Sequence, residues 1–214
     1  DREFGGEIYC LAPKLDQSDL VYSAFEFGVQ HSEALNSRTE WRGRKADIYV
    51  PESNTFIKKI AFNEKKAEGY NPQLTVCDEM ASWRGAPGLK MYEAMVSGTG
   101  ARKQPLTLSI SSSGYENEGI YDELVKRSTS VLKGDSREKR LLPFLYMIDD
   151  PRQWDNINEL KKSLPGLGTS VSVDFILGQI DIAYQSLSKK AEFLTKYCNI
   201  KQNSSQAWLE DVDV

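Results

Sequence analysis

Two adjacent carboxylates, Asp78 and Glu79, follow the apolar run Leu74-Thr75-Val76-Cys77. That run suits a buried strand. In an open α/β sheet, ligands bind at the carboxyl ends of the strands. There, one carboxylate could hold a hydrated Mg²⁺ while its neighbour orients a water toward a phosphate, the Walker B arrangement of nucleotide-hydrolysing enzymes. The same pattern also arises where a strand leads into a helix N-terminus, because acidic residues are favourable there.

The flanks favour the first reading. Upstream, Gly69-Tyr70-Asn71-Pro72 is a turn whose proline cannot continue a helix. Downstream, Met80-Ala81-Ser82-Trp83-Arg84-Gly85 leads to a second turn, Ala86-Pro87-Gly88. Residues 89–96 have helical character, with Leu89, Tyr92, Met95 and Val96 on one face. Residues 105–110 are a second strand candidate, ending in the small hydroxyl run Ser111, Ser112, Ser113 and then Gly114. Two strands joined by a helix, both ending in polar groups, follow the βαβ pattern of a parallel sheet.

Composition sets the bounds. The chain has 214 residues, 40% of them hydrophobic and 27% charged, enough for one α/β domain with a sizeable core or a domain plus an appendage. No apolar stretch approaches the length of a membrane span, and no secretory signal is visible. A net charge of −4 gives no global drive toward nucleic acid, so any such contact needs a local basic patch. The three cysteines, Cys10, Cys77 and Cys198, have no paired spacing, which suits a reducing compartment. The single histidine, His31, falls near a helix end, where a surface role is expected, and one histidine excludes multi-histidine metal sites.

Along the rest of the chain, residues 7–12 read as a short strand ending at Pro13, and 16–30 as a helix. The β-rich runs 45–50 and 55–62, separated by Pro51-Glu52-Ser53-Asn54, predict a hairpin. Lys58, Lys59, Lys65 and Lys66 cluster in and after it. Such a basic edge either discourages strand pairing or contacts phosphate. Residues 118–132 are a helix candidate, 133–140 a charged loop, and 141–148 a strongly apolar strand candidate ending in Asp149-Asp150-Pro151. That acidic pair could share a metal site with Asp78 and Glu79, but reads more simply as a cap for the next helix. The last third turns helical over 155–163, 172–187 and 189–197, with a linker-like Asn203-Ser204-Ser205 before Trp208-Leu209.

A P-loop enzyme wraps phosphates in the backbone of Gly-x-x-x-x-Gly-Lys-Ser/Thr, and this chain contains no Gly-Lys dipeptide. Its order of elements nonetheless resembles the ATPase region of tailed-phage terminase large subunits. The matched features are a strand at 7–12, Asp16-Gln17 opening a helix, a hairpin, the Gly69-Tyr70-Asn71-Pro72 turn, Asp78-Glu79 with Trp83 shortly after, Gly100-Ala101-Arg102 before the next strand, and Ser111-Ser112-Ser113-Gly114. The resemblance spans essentially the whole chain. It rests on order and spacing more than on one motif.

The resemblance implies an α/β fold with a mainly parallel sheet flanked by helices, of the P-loop NTPase-like ASCE type, with a small helical subdomain at the C-terminus. Residues 1–150 would be a partial ATPase core and 151–214 a linker leading toward a nuclease domain. It further implies an ATP-driven, Mg²⁺-dependent DNA-packaging motor acting in the host bacterial cytoplasm. Its partners would be double-stranded DNA, a small terminase subunit, the portal of the procapsid and further copies of itself, with no membrane. By matched position, Asp78 would hold Mg²⁺ through water and Glu79 would polarise the attacking water. Ser111, Ser112, Ser113 and Gly114 would couple phosphate state to DNA grip, and Arg102, Lys58, Lys65 and Lys66 would face a phosphate or the DNA. Without the Walker A segment, the isolated chain is expected to be inactive. Two other readings stand beside this one. A superfamily-2-like helicase fragment would extend as Asp-Glu-x-His or Asp-Glu-Ala-Asp, whereas Met80-Ala81 follows here. A non-enzymatic phage assembly or DNA-binding module would use the carboxylates only as a helix cap.

Overall fold

The computed structural model describes residues 3–43, 47–62, 69–114 and 119–202. Lys65, Lys66, Asn203-Ser204-Ser205 and Trp208-Leu209 lie outside the described residues. The chain divides into two compact units, Asp1–Ser111 and Ser112–Val214.

The first unit is built on six strands: β1 (Glu7–Ala12), β2 (Glu40–Arg42), β3 (Asp47–Val50), β4 (Thr55–Ala61), β5 (Pro72–Cys77) and β6 (Leu106–Ser109). Their order is β2-β3-β4-β1-β5-β6. β4, β1, β5 and β6 are parallel, while β2 and β3 add an antiparallel edge. The β3–β4 hairpin turns through a 3₁₀ segment at Pro51–Ser53 and a left-handed Asn54, a residue type that tolerates that conformation. The three-residue β2 carries no apolar run and was not legible in advance.

β1 is the central strand, and Tyr9, Cys10, Leu11 and Ala12 are all buried, so both faces of the sheet are covered there. Helix α1 (Leu15–Gln30) packs on β1 and β4. Its Tyr22 is fully buried, and the hydroxyl accepts the Ile48 backbone N–H at 3.0 Å, tying the helix to the antiparallel edge. Cys10, Val29, Ile48 and Ile57 complete that core. Fully burying an aliphatic side chain contributes about 1.5–3 kcal/mol, so this layer holds the sheet that presents Asp78. A four-residue helix, α2 (Glu33–Asn36), follows the exposed His31. Helix α3 (Gly85–Gly98) connects β5 to β6. It ends where a Cβ on Gly98 would sit 2.6 Å from the Tyr70 carbonyl, so its last turn seats directly on the turn before β5.

The second unit contains α4 (Ile120–Leu132), α5 (Ile157–Ser163), α6 (Val173–Ala183) and α7 (Leu187–Lys196). Asn156, Ser172 and Ser186 cap the last three by accepting backbone N–H groups. Ile148, Trp154, Leu160, Ile176, Ile180, Ala183, Phe193 and Cys198 form its core. Lys201 bonds both Asp122 carboxylate oxygens at 2.5 Å, and Asn199 bridges the Ser113 N–H and the Tyr146 carbonyl. These ties join α4 and residues 141–148 to the helices. The division into compact units falls between Ser111 and Ser112.

Residues 141–148, predicted as a strand, belong to no ladder among the described residues. Leu142, Phe144 and Tyr146 are exposed and alternate with half-buried Leu141, Pro143, Leu145 and Met147, a period-two alternation of an extended segment that ends at buried Ile148. Pro143 supplies no N–H to a neighbour, and the Ile148 N–H is bonded to the Cys198 carbonyl instead. Asp150 is a cap: its carboxylate accepts the Arg152 N–H at 3.0 Å. The three cysteines are free and buried, and burial pushes each thiol up to about 12. Among the described residues, no helix is long and apolar enough to cross a membrane.

Candidate active site

β5 delivers Asp78 and Glu79 to the carboxyl edge of the sheet. The Asp78 N–H donates to the Leu11 carbonyl at 2.9 Å, and the Ile110 N–H donates to the Cys77 carbonyl at 2.8 Å. The ladders on both sides of β5 thus run right up to the pair. Glu79 then adopts φ 53°, ψ 45°, the left-handed region. A non-glycine residue held there costs about 1–3 kcal/mol and persists only where its surroundings over-determine it.

Here the surroundings are specific. The Glu79 N–H donates to Asp78 Oδ1 at 2.9 Å. The Ala81 N–H donates to Ser111 Oγ at 2.9 Å, so a residue following β6 reaches into the turn following β5. The Met80 N–H lies 3.4 Å from the Ile110 carbonyl, and Trp83 Nε1–H donates to the Asp78 carbonyl at 2.8 Å. Each such bond contributes about 0.5–1.5 kcal/mol net, and together they offset the backbone strain. Met80 and Trp83, both 1% exposed, anchor the 3₁₀ turn Met80–Ser82 in the interior. Asp78 and Glu79 themselves are half-buried, within reach of a ligand but partly screened from solvent.

One or two carboxylates beside a hydroxyl form the donor set that Mg²⁺ uses when it keeps most of its waters and takes the rest of its shell from phosphate. Asp78 spends one oxygen on its neighbour's amide, which leaves the other for a water-mediated contact. Among the described residues, no group of three or more His, Cys, Asp or Glu is placed to cage a metal. The arrangement fits hydrated Mg²⁺ brought in with a nucleotide.

The structure brings Asp78, Glu79 and Ser111 together. Ser112, Ser113 and Gly114 belong to the second unit, where the Ser113 N–H bonds Asn199. Arg102 sits elsewhere. Its guanidinium donates to the carbonyls of Asn71, Gly5 and Phe4, residues that precede β5 and β1. At about 3.3 Å rise per residue, the six residues of β5 put Arg102 roughly 20 Å from Glu79. Lys58 lies over the Phe56 ring at 4.7 Å, and Lys59 pairs with Asp19. The sequence points to Trp83 and Ser111 by position but not to the left-handed turn at Glu79 or to their hydrogen bonds within it: the Ser111 contact crosses from the residues after β6, and the Trp83 contact, only five residues from Asp78, forms once the turn is made.

The family model for the terminase large subunit, ATPase domain, matches residues 1–129. The chain is 28% identical over 144 residues to protein YmfN of Escherichia coli (strain K12), covering 67% of this chain and 31% of that protein. It is 22% identical over 196 residues to the terminase large subunit of Lactococcus phage p2, covering 90% of this chain and 35% of that protein. It therefore spans about a third of the length of these relatives. In fold it is similar to the HK97 bacteriophage large terminase, with TM-score 0.79 at 18% identity over 94% of this chain and 40% of that one. A Thermus phage P74-26 large terminase ATPase domain aligns with TM-score 0.55 at 12% identity over 92% of this chain and 78% of that one. With the family match extending over more than half of its residues, the chain belongs to the terminase large subunit ATPase domain family.

Proposed function

We propose that this chain is the Walker B and coupling portion of an ATP-driven motor that packages double-stranded DNA for a tailed phage or prophage in the cytoplasm of its bacterial host. The observation that carries the reading is the Asp78-Glu79 turn, held in a left-handed conformation at a strand end and bonded to Ser111 from the neighbouring strand. In phosphoryl transfer, positioning and charge stabilisation supply nearly all of the catalysis. Bound Mg²⁺–ATP supplies the electrophilic phosphorus and neutralises developing charge. Asp78 would hold that metal, and Glu79 would orient the attacking water and accept its proton. Ser111 shares a hydrogen bond with the turn that carries Glu79, so a change at one strand end is felt at the other.

Action in an oligomer, with a small terminase subunit and at a procapsid portal, belongs to the same proposal and rests on family membership. Lys58 has no carboxylate partner among the described residues and is the described member of the basic cluster open to a phosphate of DNA or of a neighbouring subunit. Arg102, its hydrogen bonds already made to carbonyls, is not assigned that role. The chain lacks a Gly-Lys phosphate loop, and on its own it is expected to hydrolyse ATP negligibly.

The test is Glu79→Gln in the full-length protein. Nucleotide binding is expected to persist while turnover falls by about 10²–10⁴, the worth of a general base. Retained turnover would remove Glu79 from the mechanism.

A further inference from the structure

We infer that Trp83 is a positioning residue for hydrolysis: its indole N–H, by holding the Asp78 carbonyl, locks the left-handed turn that aims the Glu79 carboxylate. This rests on Glu79 acting as proposed above. Trp83 is 1% exposed, and its Nε1–H donates to the Asp78 carbonyl at 2.8 Å. That carbonyl belongs to the peptide unit whose nitrogen is Glu79's own. Rotation of this peptide is the motion by which Glu79 would leave φ 53° for an unstrained conformation. A buried donor fixed on the carbonyl opposes that rotation directly, because turning the peptide leaves both the indole N–H and the carbonyl unpaired.

The indole and the backbone that carries it are each held by a neighbour. The Phe62 ring meets the indole edge-on at 4.4 Å between centroids. A Cβ on Gly88 would lie 2.8 Å from the Trp83 carbonyl carbon and oxygen, so α3 packs its first turn against the Trp83 backbone with no room to spare. Trp83 thus connects the catalytic turn to the body of the unit, while Ser111 connects it to β6. Shape alone could be supplied by any large aromatic residue. The hydrogen bond requires the indole nitrogen.

The decisive variant is Trp83→β-(3-benzothienyl)alanine in the full-length protein, which preserves the ring shape and removes only the N–H. Trp83→Phe is the genetically encoded companion. A misplacement of catalytic groups of about 1 Å can cost about a hundredfold in rate, so kcat for ATP hydrolysis is expected to fall by about 10- to 100-fold while KM changes by less than about twofold. Crystal structures of the same variants should show Glu79 leaving positive φ, and the midpoint of thermal unfolding reports whether the fold is intact. Glu79→Gln is assayed alongside. If Glu79→Gln abolishes turnover but the benzothienyl variant keeps wild-type kcat with Glu79 still at positive φ, the inference about Trp83 is overturned and the role of Glu79 stands. If Glu79→Gln retains turnover, the catalytic reading fails, and the φ of Glu79 in the variant still decides whether Trp83 locks the turn.

Discussion

The two ends of the parallel sheet in the first unit solve opposite problems with the same strands. At the carboxyl ends, acidic side chains stand at a strained backbone, and hydrogen bonds from Trp83, Ala81 and Glu79 itself are spent on holding that backbone in place. At the amino ends, a basic side chain is spent on the backbone. Arg102 gathers the carbonyls of Phe4, Gly5 and Asn71, and Glu3 accepts the Lys103 N–H. One end leaves its charges available and stabilises the peptide around them. The other consumes its charges to stabilise the fold. Strained backbone at a functional site, offset by rigid surroundings, is the expected division of labour.

That contrast makes opposite predictions for substitutions at the two ends. Asp78→Asn in the full-length protein is expected to lower ATP turnover by at least about a hundredfold, or about 3 kcal/mol in the barrier, with the unfolding midpoint unchanged. Arg102→Ala is expected to do the reverse. Losing hydrogen bonds from a charged donor costs about 2 kcal/mol of stability, read as a lower midpoint in denaturant, with kcat per folded molecule unchanged. A kcat defect in Arg102→Ala at full stability would break the comparison and restore Arg102 as a phosphate ligand.

The smallest expected effect concerns pH. The Lys103 backbone N–H, and after it contacts from Gln73, Gln104 and Arg102, hold the Glu3 carboxyl below its usual range. A carboxylate whose folded value is depressed adds stability above its unfolded value and loses it as pH falls through the folded one. Protection of the Lys103 amide from hydrogen exchange should therefore weaken on acidification below the ordinary glutamate range. Glu3→Gln should flatten that dependence. An unchanged acid response in Glu3→Gln would assign it to another group.

Much of this arrangement was legible in the residues, and the remainder was not for identifiable reasons. β1 and α1 match their expected bounds to within a residue, because apolar periodicity reports directly on which backbone is buried. Asp78-Glu79 at a strand end followed from an apolar run meeting two charges. The segment 141–148 shows the limit: an apolar run announces a candidate strand but not a partner, and no ladder forms among the described residues. The unit boundary at Ser111/Ser112 depended on Lys201–Asp122 and the Asn199 bridge, contacts across some 80 residues that local pattern does not encode. Arg102 shows the same limit. Its sequence position before β6 is compatible with either end of the sheet until the strand directions are known.

The central claim is that the metal and phosphate sit at the Asp78 end of the sheet. The direct measurement is the anomalous scattering of Mn²⁺ in crystals of the full-length protein with a non-hydrolysable ATP analogue. With one water between, the metal should lie about 4 Å from the nearer Asp78 carboxylate oxygen, with the terminal phosphate facing Glu79. A metal peak remote from Asp78, or an analogue bound among the carbonyls around Arg102, would contradict the account.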